Sequence, residues 1–234
     1  MTVAEVALTL QMGGVVAELP KIIPLFPLPN LVLFPGVQVP LNIFEPRYRE
    51  MVADVAHSHR LIGMMLLKGE WERDYYANPD VFVFGCVGKI GELMRLDDGR
   101  FHLTLEGLSE FRIVHEIRER SYRQAEVEWC GTAAGALDFD TETLEGLREL
   151  LFSYLGASAQ QVWHTLVEQR RLRGAELINF LCFHLDLAPI EKQTLLEARE
   201  ARIDCLLDIL SFRLEERKVG VGGGGNRGGS ETIQ

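Results

Sequence analysis

The spacing of apolar residues changes near residue 135, and this change constrains the fold more than any other feature of the sequence. Before it, apolar and polar positions alternate, as in residues 37–44 and 101–105. After it, apolar residues recur at intervals of three and four, as along residues 144–155 and 203–214. Alternation is typical of β-strands, and the longer interval is typical of amphipathic helices. The sequence therefore predicts an α+β fold in which a β half precedes a helical half.

The β half contains one interrupting helix and several marked turns. Residues 21–28 form an apolar run broken by Pro24 and Pro27, which predicts an edge strand or a bulged strand because proline cannot donate to a sheet. Pro46 suits a first helical turn, and apolar residues follow it at helical spacing. The triplet Asp97-Asp98-Gly99 is typical of a hairpin. Glycines within residues 81–96 predict bulges or tight bends of a small closed barrel, namely Gly85, Gly88 and Gly91.

The helical half is expected to be a bundle of about four to five helices over residues 135–217. Pro189 marks the start of one of them. Residues 218–234 are rich in glycine and poor in apolar side chains, so we expect a disordered tail. Residues 1–19 precede the organised region and are treated as an N-terminal extension.

Charge and composition argue against several classes of partner. The net charge is −10, from 24 Lys and Arg against 34 Asp and Glu, whereas nucleic-acid binding needs a basic surface. Residues 1–20 contain no Lys or Arg, so the basic start of a signal peptide is missing. No apolar run reaches the roughly 20 residues that span a bilayer. The sequence predicts a cytoplasmic protein with no nucleic-acid or membrane partner. Its four widely spaced cysteines, in apolar surroundings, indicate a reducing compartment.

Four groups of motifs occur in a fixed order along the chain. They are IPLFPL at 23–28 with LFPG at 33–36, IFEPRYREM at 43–51, GCVGKI at 85–90 with LDDGR at 96–100, and EKQTLLE at 191–197 with Arg202. Together they resemble the N-terminal, substrate-binding domain of the Lon protease family and its stand-alone relatives. The second motif looks most like the short bacterial members and the Lon-like domain of cereblon. The resemblance covers about residues 20–217. One departure is Glu110, where relatives often carry a basic residue.

This resemblance implies a PUA-like six-stranded β pseudobarrel with one inserted helix over residues 20–134, followed by a C-terminal helical bundle. In full-length Lon proteases this region engages substrates and helps assembly, while separate domains hydrolyse ATP and cut peptide bonds. The resemblance thus implies a non-catalytic module that recognises unfolded or extended polypeptide. A cleft between barrel and bundle, or an apolar barrel face, is the expected site. The alternative is an adaptor or assembly protein that binds a folded partner such as a protease or chaperone.

Seven residues are candidates for peptide contact. They are Phe44, Glu45, Arg47, Tyr48, Trp71, Tyr75 and Tyr76. The first four of these residues, at 44–48, allow two interpretations. Either the loop before the helix lines a recognition groove, or these side chains are structural. In the structural interpretation Glu45 favours the helix dipole, Arg47 pairs with a carboxylate and Tyr48 packs inward. The three aromatics of the polar loop at 70–79 are either satellite core or a contact surface.

Catalytic, cofactor and metal motifs are not expected to operate here. No G-x-x-x-x-G-K-[ST] or G-x-S-x-G sequence occurs, and the G-x-G-x-x-G match at 220–225 does not lead from a strand into a helix. His57 and His59 are predicted to end a helix, where an imidazolium suits the dipole. Cys182 and His184, two residues apart on a helix, do not face one another. The sequence predicts no enzyme activity, no cofactor and no metal.

Overall fold

The structure is a computed structural model that describes residues 9–12, 15–73, 79–131 and 139–222. Its strands are β1 Thr9–Met12, β2 Val15–Glu18, β3 Ile22–Leu28, β4 Gln38–Ile43, β5 Leu61–Leu66, β6 Phe84–Arg95, β7 Phe101–Ile117 and β8 Gln124–Gly131. Its helices are α1 Pro46–Ala56, α2 Thr141–Leu155, α3 Ala159–Trp163, α4 Gly174–His184, α5 Pro189–Ala198 and α6 Arg202–Gly222. A π-helical segment, His164–Gln169, continues α3.

Strands β3 to β8 form a six-stranded barrel, and α1 is inserted between β4 and β5. β4 is an edge strand of this barrel, because among the described strands it pairs with β7 alone. The strand order is β4-β7-β6-β5-β3-β8, and β7 closes the ring by also pairing with β8. β3 and β5 are parallel, and the other pairs are antiparallel. β7 can serve three neighbours because its first half pairs with β4 and its second half with β8. The predicted six-stranded barrel with one inserted helix is confirmed. β1 and β2 form a separate two-stranded sheet within the predicted N-terminal extension.

The prediction that residues 21–28 form an edge strand is wrong, because β3 lies between β5 and β8. The two prolines are tolerated because β3 changes partner along its length. Leu25 N–H donates to the Arg123 carbonyl at 2.8 Å, toward β8, and Leu28 O accepts from Leu67 N–H at 3.1 Å, toward β5. The backbone nitrogen of Pro24 therefore points toward β5, at a position before the β3–β5 pairing begins at Leu25. The backbone nitrogen of Pro27 points toward β8, at a position after the β3–β8 pairing has ended. Neither proline removes a ladder hydrogen bond.

The turn and the bulges follow the glycines as predicted. Gly99 has φ 82° in the turn between β6 and β7, and Leu96 N–H donates to Arg100 O at 2.9 Å across it. The β6–β7 register shifts at Val87/Gly88 and again between Ile90 and Leu93. These shifts bend the sheet enough to close a small barrel.

Strand β5 is covered on both faces. All six residues of β5 are buried, which matches its unbroken apolar sequence. An inner cluster fills the barrel, including Ile23, Leu25 and Phe111. An outer cluster joins the barrel wall to α1 and to the C-terminal helices in one continuous core. The buried face of α1 is the predicted one, and it consists of Tyr48, Met51, Val52 and Val55.

Within the described residues, the α-helices α2 to α6 follow the barrel. α5 begins at Pro189 as expected. α6 ends at Gly222, inside the segment predicted as a disordered tail, and the rest of that segment lies outside the described residues. The predicted boundary at residues 134 and 135 also falls outside them. Within the part of the chain that is described, no helix is long and apolar enough to cross a membrane.

A buried ionic cluster fastens α6 to the barrel. Glu110 of β7 is 1% exposed and pairs with Arg202 of α6, which is 4% exposed. Arg199 lies 3.6 Å from the second carboxylate oxygen of Glu110. Arg202 also donates to the side-chain oxygen of Asn179, whose amide donates to Pro35 O at 3.0 Å. The residue that departs from the family pattern is therefore a buried anchor between the two halves of the chain.

The cleft expected between barrel and bundle is closed at this junction. Besides the ionic cluster, Gln193 of α5 is 1% exposed and donates to the Phe84 carbonyl of β6 at 3.1 Å. The outer apolar cluster fills the space around these polar contacts. Any groove that could take a ligand must therefore lie elsewhere.

Candidate functional site

The corner between β4 and α1 holds four of the predicted contact residues. Phe44 is 62% exposed. The Glu45 carboxylate pairs with the Arg47 guanidinium at 2.9 Å, and that guanidinium lies 4.5 Å above the centre of the Tyr48 ring. Tyr48 is buried, and its ring meets Phe26 edge to face with 4.5 Å between centroids. Packing and ion pairing account for the inner three residues, and Phe44 alone of this group offers a large exposed apolar surface.

The described part of the predicted aromatic loop packs against a different apolar cluster from the corner between β4 and α1. Trp71 is half-buried against the inner cluster, whereas Tyr48 belongs to the outer cluster. Tyr75 and Tyr76 lie outside the described residues. The structure does not bring the described candidates into one site, and peptide contact at these positions stays a prediction.

The histidine pairs have ordinary structural surroundings. His57 caps the C-terminus of α1, as predicted. The expected imidazolium is wrong for His59, because burial lowers its pKa and its Nδ1 accepts a hydrogen bond from Leu61 N–H at 3.0 Å. Cys182 is fully buried, whereas His184 faces outward. Among the described residues, no group of three or more His, Cys, Asp or Glu side chains could hold a metal ion.

A groove of about 460 Å³ opens between α2, α3 and α4, and we call it the bundle groove. Apolar side chains form its walls, namely Leu155, Val162, Leu166, Phe180, Leu181 and Leu185. Polar and charged side chains complete the lining, namely Ser158, Gln161, Thr165, Arg170 and His184. Concave apolar sites with a few convergent polar groups are typical ligand sites. The α4 wall arises because Phe180, Leu181, His184 and Leu185 share one helical face.

Local hydrogen bonds hold the walls of the bundle groove in place. The Tyr154 hydroxyl at the end of α2 donates to Asp186 O at 3.1 Å, which ties α2 to the loop after α4. The π-helical segment ends where Arg170 N–H donates to Thr165 O at 2.9 Å. Arg173 then donates to Val167 O at 2.7 Å and braces the turn into α4. π-Helical turns are rare and recur at functional sites.

The bundle groove carries positive charge on an apolar wall. The Arg170 guanidinium lies 5.2 Å from the centre of the Phe180 ring, and the His184 ring packs against the same Phe180 ring with 4.0 Å between centroids. Burial lowers the pKa of His184, and the positive charges of Lys192 and Arg170 lower it further. His184 is therefore neutral near pH 7, and the fixed cation of the lining is Arg170.

A second groove, of about 490 Å³, lies on the barrel over β4, β7 and β6, and we call it the barrel groove. Asn42, His102 and Met94 lie opposite one another across its three strands, and Met94 is 55% exposed. Val37 O accepts from Gly107 N–H, so the odd-numbered residues of β4 direct their backbone groups toward β7. The even-numbered residues of β4 therefore direct their backbone groups toward its outer edge. Pro40 therefore removes a donor from that edge, which disfavours addition of a peptide strand there.

The bundle groove was not identified from the sequence. Helical spacing marks which residues face the core, but it does not show where two neighbouring helices fail to meet. The available signal is Arg170 after the helical apolar spacing of residues 162–167, in a chain whose net charge is −10. That signal is too weak without the fold, because Arg171 and Arg173 stand beside Arg170 in the sequence and nothing there singles out one of the three.

Comparison with known proteins now places the chain. A model of the ATP-dependent protease La (LON) substrate-binding domain matches residues 22–211. The chain belongs to this family. The solved structure of a Lon N-terminal domain protein from Xanthomonas campestris is similar to this chain, with a TM-score of 0.58 and 23% sequence identity. The match covers 86% of this chain and 98% of the Xanthomonas chain. The N-terminal domain of a Mycobacterium avium complex Lon protease gives a TM-score of 0.60 at 18% identity over 82% of the chain. Both likenesses concern the fold.

The curated relatives of this LON domain are much longer proteins. Lon protease 2 of Myxococcus xanthus is 27% identical over 86% of the chain, which corresponds to 25% of the relative. Lon protease 2 of Desulfotalea psychrophila is 28% identical over 86% of the chain and 27% of the relative. The chain thus spans about a quarter of the length of the curated relatives that it matches. The matched region is the substrate-binding domain.

Proposed function

We propose that this chain is a non-catalytic recognition module for unfolded or extended polypeptide. The observation that carries the proposal is the bundle groove, a concave apolar site in a protein of a substrate-binding family. Leu155, Val162 and Phe180 of its walls are partly exposed. Unfolded chains expose apolar side chains that folded proteins bury, so a preformed apolar groove selects them. Its size suits a few side chains, so we expect weak, micromolar binding.

The chemistry of the groove is consistent with binding rather than catalysis. Two polar groups of the lining, the Ser158 hydroxyl and the His184 imidazole, are engaged in local contacts. Ser158 Oγ donates to Leu155 O at 3.1 Å, and His184 stacks on Phe180. A nucleophile needs a base within hydrogen-bond reach, whereas the Ser158 hydroxyl donates to a backbone carbonyl. Together with the missing nucleotide and protease motifs, this supports a module without enzyme activity.

Fluorescence anisotropy with a dye-labelled, permanently unfolded protein such as carboxymethylated casein tests the proposal. We expect Phe180→Asp and Gln161→Trp to weaken binding about tenfold or more, because the first charges the wall and the second fills the groove. Gln161 is exposed, so this variant keeps the core intact. Met94→Asp in the barrel groove is the matched control and should bind as the wild type does.

Two results contradict the proposal. If neither casein nor any peptide of a broad array binds the wild-type chain, polypeptide recognition is wrong. If Met94→Asp abolishes binding while both bundle-groove variants retain it, the site lies on the barrel. The adaptor alternative stays a prediction, and it requires a folded partner that co-purifies with the chain. The cytoplasmic location also stays a prediction.

A further inference from the structure

The lining of the bundle groove has one charged side chain that is permanently ionised, Arg170. Among the residues that the structure describes, no Asp or Glu belongs to the lining. Within the described part of the chain, Arg170 has no ion-pair partner, and its side chain is placed by its contact with the Phe180 ring. The chain as a whole has 34 acidic residues against 24 basic ones, so a cation with no carboxylate beside it is a local exception. An arginine fork beside an apolar wall is suited to bind a carboxylate.

The potential in the groove is positive beyond Arg170 itself. Lys192, on the neighbouring helix α5, lies 5.6 Å from the centre of the Phe183 ring, which in turn meets the His184 ring at 4.9 Å. Both Lys192 and Arg170 act on His184 of the lining, because the positive charge of each lowers its pKa. An anion beside His184 therefore meets attraction from both cations, strengthened by the apolar surroundings.

The short separation of cation and apolar wall restricts the ligand. A carboxylate and an apolar side chain must reach Arg170 and Phe180 together, and the guanidinium lies only 5.2 Å from the ring centre. The last residue of a polypeptide meets this requirement, because its carboxylate and its side chain branch from the same carbon. An internal Asp or Glu carries its carboxylate on a different residue from the apolar group. It must also bring the chain through the groove on both sides.

We propose that the bundle groove binds the C-terminus of a polypeptide that ends in apolar residues, with the terminal carboxylate on Arg170 and the last side chains against Phe180. This proposal rests on the proposed function and names the class of segment that the groove takes. Capture of a terminal carboxylate is an established way to recognise peptides. Here it would select newly exposed or misfolded chain ends, since apolar C-termini are buried in many folded proteins.

Anisotropy with three short, dye-labelled Gly/Ser peptides tests the assignment in the full chain. The first ends in Phe-Leu with a free carboxylate, the second is its C-terminal amide, and the third is an amide with Phe-Leu-Glu placed internally. We expect the free acid to bind about tenfold more tightly than either amide, as one charge-assisted hydrogen bond to arginine provides. In Arg170→Gln, that preference should vanish while binding of the amide remains. Arg171→Gln, which changes an exposed neighbour outside the lining, should behave as wild type.

The outcomes separate this proposal from the broader one. Equal binding of acid and amide by the wild type overturns C-terminal recognition, as does a preference that survives Arg170→Gln. Equal binding of the free acid and the internal Glu peptide shows that any carboxylate suffices and overturns the terminal assignment. In each of those cases the proposed function stands, because the amide still binds. If none of the three peptides binds while carboxymethylated casein does, only the C-terminal assignment fails. If neither the three peptides, nor casein, nor any peptide of the broad array binds, both proposals fail.

Discussion

Removal of the Glu110 carboxylate should be among the most destabilising single substitutions in this protein. Arg202 is only 4% exposed, and Glu110→Ala leaves its guanidinium without a counter-charge. Arg199, which lies 3.6 Å from the Glu110 carboxylate, also loses its attraction to that carboxylate. Arg202 keeps its neutral acceptors, including Leu195 O at 2.8 Å. A buried charge that loses its ionic partner costs about 3–5 kcal/mol of the free energy of unfolding.

Urea denaturation followed by circular dichroism measures this cost. For a chain of this length, a loss of about 3–5 kcal/mol corresponds to a Tm lower by roughly 6–20 °C. The matched control is Glu128→Ala, because the Glu128–Arg112 pair joins the same barrel strand to β8 but its side chains are 60% and 48% exposed. We expect that control to cost below about 1 kcal/mol.

A double variant separates the ion pair from simple loss of packing. Arg202→Met removes the guanidinium and keeps an apolar stem of similar length in the core. Combined with Glu110→Ala, it leaves neither charge unpaired, so the double variant should lose less stability than the two single losses added, by about 1–3 kcal/mol. Strict additivity, or a Glu110→Ala cost as small as that of Glu128→Ala, would refute the view that a buried ionic anchor joins barrel and helices.

Three further predictions concern the acid limb of stability, the groove wall and the barrel interior. The Arg213 guanidinium holds the pKa of Glu191 below its usual range, so the carboxylate stabilises the fold fully above about pH 4.5, and this contribution is lost as the pH falls through the lowered pKa. In urea titrations at a series of pH values, Glu191→Gln should lose less stability than the wild type between about pH 5 and 3. If the free energy of unfolding falls equally with pH in both proteins, Glu191 is not the group responsible. Tyr154→Phe removes the hydroxyl that donates to the loop after α4, so the free energy of unfolding should fall by about 0.5–1.5 kcal/mol. Casein binding should weaken as well. Unchanged casein binding would show that this hydrogen bond does not shape the bundle groove. Gly85→Ala should cost about 1–3 kcal/mol, because a Cβ there would lie 2.6 Å from a backbone oxygen, whereas Gly91→Ala, with 3.5 Å to its nearest neighbour, should be nearly neutral in the same melts.

The sequence was informative where local chemistry decides the structure. Pro46 and Pro189 start helices because a missing N–H costs nothing in the first turn. The Asp97-Asp98-Gly99 turn forms because glycine tolerates positive φ, here 82° at Gly99. The alternating and helical spacings assigned the two halves correctly, since each element buries one face or both.

What the sequence could not show depends on contacts between distant residues. Pro24 and Pro27 suggested an edge strand, but their missing donors fall where β3 changes partner, which no local pattern reveals. Glu110 is an anchor because Arg202, 92 residues later, meets it in the core. The bundle groove exists because the helices leave a gap, and the size of a gap follows from packing in three dimensions.

The central claim is that unfolded polypeptide binds in the bundle groove, and amide hydrogen exchange of the full chain tests it most directly. Exchange measured by mass spectrometry, with and without saturating carboxymethylated casein, reports which backbone segments become protected. We expect slower exchange in residues 155–185, around Phe180 and Arg170, and little change in β4, β6 and β7. Protection confined to the barrel strands, or none anywhere despite measurable binding, would contradict it.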